Sequence, residues 1–269
     1  MPMKLLTTLG HIDNLPNSTN ASLVKDFYEY LKEIGTSENY QNRSSPDGRS
    51  GILRITQDGK SVGNGILDDN YPLDLYYAYG IRNSFGIDWD PVTGDLWDTE
   101  NGPHYGDEIN RVEPGFNSGW VSVQGIWKPN LDEKGKVTLN PKGLVDFNGK
   151  GMYSPPELTW IPPVAPTALK FFYSDKLGSQ YKNDVFVSDA NTGSLYRFDL
   201  NEDRTELELQ GLLEDKIANT LDETRDVIFA NGFGRITDLE IGPDGYLYVL
   251  SSEDDGAVLY KILKATNEN

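Results

Sequence analysis

Between Tyr77 and Trp120 the chain concentrates residue types that bind or transform small molecules. Arg82 and Asn83 stand in a turn flanked by Gly80 and Gly86, where a guanidinium on a short loop can meet an anionic ligand or close a structural salt bridge. Downstream, the run Thr99-Glu-Asn-Gly-Pro-His-Tyr-Gly-Asp-Glu-Ile-Asn110 brings Glu100, Asp107 and Glu108 together. Carboxylates this close in sequence can act as the acid and base of a hydrolase. Asp107, Glu108 and Asn110 also read as turn and strand-edge residues, or as metal ligands through their side chains. Trp97 and Trp120 suit either a buried core or a stacking platform for a sugar ring. The chain has two histidines, His11 and His104, and each reads as a solvated loop residue before it reads as a catalytic base. It has no cysteine, which excludes disulfides, thiolate metal sites and thiol nucleophiles.

The elements that must position these residues belong to a folded, acidic protein. Of its 269 residues, 37% are hydrophobic and 11% aromatic, enough to fill a core. Asp plus Glu number 42 against 24 Lys plus Arg, a net charge of −18 that repels phosphate backbones and anionic headgroups. Nucleic acid and membrane insertion are therefore excluded as first readings, and no apolar run approaches the length of a spanning helix. The opening Met1–Leu6 runs into Thr, Gly, His and Asp, so no export signal is expected in the chain as given. Three glycosylation triplets, at Asn17, Asn20 and Asn42, fall in Asn- and Ser-rich sequence where such triplets arise by chance.

With 27 Gly and 15 Pro spread along the length, many short strands joined by tight turns are expected. One phrase, a turn rich in Asp, Pro and Gly feeding an alternating apolar strand, occurs at Asp90–Trp97, at Gly242–Val249 and, divergently, at Tyr181–Val187. A second phrase follows at Asp107–Val112, Gly193–Asp199 and Gly256–Ile262, with Gly51–Ile55 near the start. Units of roughly 40 to 50 residues with several short antiparallel strands predict an all-β fold, a β-propeller of four-stranded antiparallel blades, in preference to a sandwich. One amphipathic helix is expected near residues 22–34, with Leu23, Phe27, Tyr30, Leu31 and Ile34 on one face and Gly35 as its cap.

The segments Gly80-Ile-Arg-Asn-Ser-Phe-Gly86, Glu100-Asn-Gly-Pro-His-Tyr-Gly-Asp-Glu-Ile-Asn110 and Pro114-Gly-Phe-Asn-Ser-Gly-Trp120 together resemble the glucose/sorbosone dehydrogenase family of soluble quinoprotein sugar dehydrogenases. The resemblance continues in Pro163-Val-Ala-Pro-Thr167 and in Gly234-Arg-Ile-Thr-Asp238, and covers the chain from about Gly51 to Ile262. It implies a six-bladed propeller that binds pyrroloquinoline quinone (PQQ) and a calcium ion, with a histidine as base on the anomeric hydroxyl. On that resemblance Arg82, Asn83 and Arg235 are the cofactor-binding residues, and Gly102 and Pro103 supply backbone carbonyls to calcium, a cation that prefers hard oxygen ligands.

The sequence also departs from the family pattern. Ser84-Phe85 stands where the family has Pro-Gln, Asn191 is nearest to a position usually basic, and Thr237 stands where a second arginine is expected. The family's base histidine lies upstream of a strand resembling Lys4–Gly10, and no residue here matches it, so the catalytic residue is unassigned. Four blade-like units fall short of six. The expectation is one propeller domain over 1–269 that is completed by an N-terminal segment or by another subunit, or that closes as a smaller ring. The expected function is oxidation of an aldose to its lactone, with electrons passing to an acceptor, outside the cytoplasm. The alternative is a non-catalytic extracellular propeller that binds a glycan or a protein partner.

Overall fold

The computed structural model describes residues 4–8, 50–120, 122–127, 130–131, 137–138, 141, 144–253 and 256–264. The helix expected near 22–34 and His11 lie outside the described residues. In chain order the strands are β1 (Lys4–Thr8), β2 (Gly51–Ile55), β3 (Tyr76–Tyr79), β4 (Ser84–Trp89), β5 (Leu96–Glu100), β6 (Asp107–Val112) and β7 (Phe116–Asn117). There follow β8 (Asn130–Leu131), β9 (Val137–Thr138), β10 (Met152–Tyr153), β11 (Leu158–Trp160), β12 (Pro166–Phe171), β13 (Val185–Asp189), β14 (Ser194–Phe198) and β15 (Ile217–Ala218). The last are β16 (Ile228–Asn231), β17 (Arg235–Ile241), β18 (Leu247–Glu253) and β19 (Gly256–Lys261).

The chain divides into two compact units, one of residues 1–84 and 113–155, the other of residues 85–112 and 156–269. The first holds a sheet ordered β1-β2-β3-β7-β10, antiparallel through β3 and then extended by β7 and β10 in parallel, with the β8-β9 hairpin beside it in sequence. Its core gathers Leu67, Tyr76 and Tyr79, each at most 1% exposed.

The second unit contains three sheets built on one plan. Strands β4-β5-β6-β11 carry β15 as a parallel addition, β12-β13-β14-β16 form a four-stranded antiparallel sheet, and β17-β18-β19 form a three-stranded one. The two repeated phrases of the sequence become the second and third strands of each sheet. The Asp90 turn joins β4 to β5, with Gly94 N–H donating to the Asp90 carbonyl at 2.8 Å and Gly94 at φ +77°. The Gly242 turn, one residue shorter, joins β17 to β18, with Gly245 N–H on the Gly242 carbonyl at 2.8 Å and Gly245 at φ +81°. A positive φ at the turn's last position is what glycine supplies at least cost.

Alternation along the strands stacks these sheets. Val185 and Val187 of β13 join Trp97, Ile109 and Trp160 in one buried cluster, while Phe186 between them joins Ile236, Leu239, Leu247 and Val249 in another. The middle sheet is thus covered on both faces, and all five residues of β13 are buried. Trp97 packs edge-on against Phe171 at 6.1 Å between centroids. Its complete burial makes it core, not a sugar platform.

Candidate functional site

The sequence motifs assemble as two groups, one in each unit. In the first unit, β3 and β7 pair in parallel, with Tyr79 opposite Asn117, and this carries the Arg82 turn alongside the Phe116–Trp120 segment. Trp120 N–H donates to the Gly80 carbonyl at 2.9 Å, and the Arg82 guanidinium lies 5.7 Å from the Trp120 ring centroid. Arg82 and Asn83 are both half-buried. A cation seated on an indole face keeps a fixed direction while staying charged, which suits a ligand contact as well as a structural one.

In the second unit, β5 ends at Glu100 and the chain turns through Asn101–Gly106 before β6 begins at Asp107. This turn closes on itself around Gly102. A Cβ built there would fall 2.1 Å from the Tyr105 carbonyl oxygen and 2.9 Å from that of Gly106, so only glycine fits. Asp107 is 1% exposed. Its Oδ1 accepts from Gly102 N–H at 2.8 Å, and its Oδ2 accepts from Val164 and Ala165 N–H, each at 2.8 Å. A carboxylate bound to three backbone amides is a joint of the fold, which fulfils the strand-edge reading and removes Asp107 from service as a hydrolytic acid or base. Asn101 adds a second tie, its Nδ2 donating to the Pro166 carbonyl at 2.9 Å. His104 is exposed on this loop.

The Pro163–Thr167 motif passes the arrangement onward. Ala190 and Asn191 N–H donate to the carbonyls of Ala165 and Val164 at 3.0 and 3.1 Å, and Asn191 Nδ2 donates to that of Pro163 at 3.1 Å. Ala165 sits at φ +55°, a left-handed conformation that costs a non-glycine residue roughly 1 kcal/mol or more and persists where its surroundings fix it. Asp189, fully buried, builds the next turn by accepting from Thr192 N–H, Gly193 N–H and the Tyr196 hydroxyl at 2.6, 3.0 and 2.8 Å. Burial and the adjacent Asp189 carboxylate push the Tyr196 phenol above its ordinary range.

Arg235 opens β17 and is exposed in a cleft of about 500 Å³ lined by Ala190–Gly193, Gly234, Ser252 and Glu253. Two of the sequence-predicted positions, Asn191 and Arg235, therefore share one cleft. The Asn191 amide is turned toward Pro163, which leaves Arg235 as the cation among the lining residues. Ser252 and Glu253 escaped the sequence reading, because they enter only through the pairing of Arg235 with Ser252 across β17 and β18.

A second recess, of about 200 Å³, is lined by the facing strands β4, β12 and β17. It contains Phe85 and Thr237, two positions at which the sequence departs from the family pattern, together with Lys170 and Asp238. Phe85 is 52% exposed, and the Thr237 hydroxyl is spent on the Leu250 carbonyl at 3.2 Å. Lys170 reaches Glu240 at 3.3 Å and Asp88 at 3.8 Å. Burial pushes the Asp88 carboxyl up despite that ammonium. Gly86 lets β4 and β12 meet here, since a Cβ on it would lie 2.2 Å from the Thr167 carbonyl. Behind them runs a buried hydroxyl chain, with Gly86 N–H to Thr99 Oγ1, Thr99 Oγ1 to the Thr167 carbonyl, and Thr167 Oγ1 to Ser188 Oγ. Nothing in the sequence marks this chain, whose members lie in different motifs.

Among the described residues no cluster of three or more His, Asp or Glu side chains could hold a metal ion. The oxygens close to Gly102 in its turn are the backbone carbonyls of Tyr105 and Gly106, a donor type that fits calcium better than a transition metal. The Arg235 cleft, polar and carrying an exposed guanidinium, fits a ligand with carboxylates. No helix among the described residues is long and apolar enough to cross a membrane.

The chain matches the model of the glucose/sorbosone dehydrogenase family over residues 26–261. It is 27% identical over 254 residues to the aldose sugar dehydrogenase YliI of Escherichia coli, covering 90% of this chain and 59% of that protein. It is 25% identical to quinoprotein glucose dehydrogenase B of Acinetobacter calcoaceticus, covering 77% of this chain and 50% of the relative. The crystal structure of the soluble aldose sugar dehydrogenase of E. coli in its apo form superposes with a TM-score of 0.55 at 26% identity, over 79% of this chain and 54% of that one. The chain thus spans about half the length of these relatives. Its repeated antiparallel sheets are blades of a β-propeller. By the extent of the family match and by this architecture, the chain belongs to the glucose/sorbosone dehydrogenase family.

Proposed function

We propose that this chain is part of a quinoprotein sugar dehydrogenase that oxidises an aldose to its lactone, with PQQ and calcium as cofactors and a separate electron acceptor, outside the cytoplasm. The observation that carries the reading is the bonded succession in the second unit from the Gly102 turn through Asp107 and Val164–Ala165 to Asn191 and the Arg235 cleft. It joins a turn in which the Tyr105 and Gly106 carbonyls crowd Gly102, oxygen donors of the kind a hard cation takes, to a cleft suited to a carboxylate-bearing ligand. The names of the relatives, an aldose sugar dehydrogenase and a quinoprotein glucose dehydrogenase, support the same class.

In this reading Arg235 pairs with a carboxylate of the quinone, and the carbonyls of Gly102 and Pro103 hold calcium. Arg82 and Asn83, which lie in the first unit, are quinone-contacting residues by the resemblance of their motif alone. When bound, the quinone would take up the two electrons of the sugar oxidation and calcium would polarise it. No described residue is assigned as the base that removes the anomeric proton.

A titration of the purified chain with PQQ, with and without calcium, followed by dye reduction with glucose, tests the proposal. Calcium-dependent binding tighter than about 10 μM, roughly −7 kcal/mol, is the expected result. Failure of a folded sample to bind at that level would favour the second reading, a non-catalytic propeller that recognises a glycan or a protein. One observation favours that second reading. The side chains at three family contact positions, Phe85, Asn191 and Thr237, provide an exposed ring, an amide bonded to Pro163 and a hydroxyl bonded to Leu250, with no cation among them.

A further inference from the structure

We infer that Asp107 is a positioning residue that sets the carbonyl turn at Gly102 and the Arg235 cleft in register with each other; this rests on the reading of those two places as a calcium and quinone site. In a trans peptide the N–H and the C=O point in opposite directions. Asp107 Oδ2 draws the N–H groups of Val164 and Ala165 toward itself at 2.8 Å, so the carbonyls of the same two peptide units, those of Pro163 and Val164, must face away. Both of those carbonyls accept from Asn191, one from its side chain and one from its backbone, each at 3.1 Å. Asn191 lines the cleft that holds Arg235.

The other carboxylate oxygen fixes Gly102 at 2.8 Å, in the turn of the candidate calcium carbonyls. Asp107 itself is held at the head of β6, where Thr159 Oγ1 donates to its carbonyl at 3.0 Å and its strand partner is Trp160. One buried carboxylate therefore controls the orientation of a turn five residues before it and of a segment 57 residues after it. Through that segment it also orients a wall of the cleft. An aspartate is required because both oxygens must accept. An asparagine in its place presents an NH₂ group to either Gly102 N–H or the Val164–Ala165 pair, donor against donor.

The test compares the parent chain with Asp107→Asn and Asp107→Glu, the latter keeping the charge but displacing it by one methylene. Thr93→Ala, in the turn that joins β4 to β5, serves as a control for simple destabilisation. Residue-resolved amide exchange and titration with calcium chloride alone are the readouts. In both Asp107 variants the amides of Gly102, Val164, Ala165 and Asn191 are expected to exchange at least tenfold faster, and calcium affinity is expected to fall at least tenfold. Thr93→Ala should change neither. Faster exchange confined to Gly102, or calcium affinity within twofold of the parent, would overturn the inference while leaving the cofactor reading intact. If neither variant folds, Asp107 is a purely structural clasp and the inference falls. A folded parent that binds no calcium removes both the inference and the reading beneath it.

Discussion

Arg204 grips Asp90 with two nitrogens, Nε to Oδ2 at 2.6 Å and Nη2 to Oδ1 at 3.0 Å, across 114 residues of sequence. Nη2 also donates to the Asn183 carbonyl at 2.7 Å. The pair ties the β4–β5 turn of one sheet to the connection that follows β14 in the next, with Asn183 bringing in the β12–β13 connection, and the Asp90 side chain is wholly buried. Truncation by Arg204→Ala would leave a desolvated carboxylate with its turn contacts alone. A loss of about 2–3 kcal/mol is expected in urea denaturation, near the lower end for a broken buried pair because Arg204 keeps some solvent contact. Arg204→Lys should recover less than half of it, since an ammonium cannot reproduce the two-pronged contact.

Gly86 and Gly94 occur in the same sheet and should respond differently to alanine. A Cβ at Gly86 meets backbone at 2.2 and 2.4 Å, the Thr167 carbonyl and the Leu169 nitrogen, which no rotamer change relieves. At Gly94 the space is open and only the φ of +77° resists. Gly86→Ala is expected to cost about 3 kcal/mol and Gly94→Ala about 1 kcal/mol, measured as a difference in melting temperature on the same chain.

Acidity should act through Asp184. Burial pushes its carboxyl up to about 6, outweighing the Arg197 guanidinium that bonds it at 2.6 Å. A raised acid binds protons more readily in the folded than in the unfolded state. Its stabilising contribution is therefore full below about pH 4 and is lost as the pH rises toward 6. Asp184→Asn should flatten that interval of the stability profile by about 1 kcal/mol, after discounting for a pair that solvent partly screens. Asp244 works in the opposite sense. The Lys261 ammonium holds it down to about 2, so its contribution is present near neutrality and disappears as the pH falls from 4 toward 2. Thermal melts at closely spaced pH values separate the two.

Restoring the family's side chains in the recess beside β4 tests its role. Phe85→Gln returns an amide and Thr237→Arg returns a cation. If these positions face the quinone, each should tighten PQQ binding, by up to tenfold for the amide and tenfold or more for the arginine. Unchanged affinity in both, measured by calorimetry on folded protein, would detach this recess from the cofactor.

Much of this architecture was legible in the sequence because turns repeat where side chains do not. The Asp90 and Gly242 turns announced second strands, and the runs from Asp107, Gly193 and Gly256 announced third strands, because hairpin geometry demands glycine and aspartate at fixed places. Gly102 and Arg235 could be named as candidate site residues from the motifs around them. The linkages could not. Asp107 finds two of its partners at Val164 and Ala165, and Asn191 turns its amide to Pro163, through contacts that exist only once three strand ends meet. The number of strands per sheet also varied, with β15 added in parallel beside β11, since a short strand carries no periodic signal.

The double coverage of β13 has a consequence for how the second unit comes apart. Its valines belong to one neighbour and its phenylalanine to the other, so this strand offers no face on which a boundary between independently melting pieces could be drawn. Peeling away either flanking sheet exposes half of the middle one to water. The three sheets consequently share one unfolding event, and damage at the rim of any of them is felt as a lowered threshold for all.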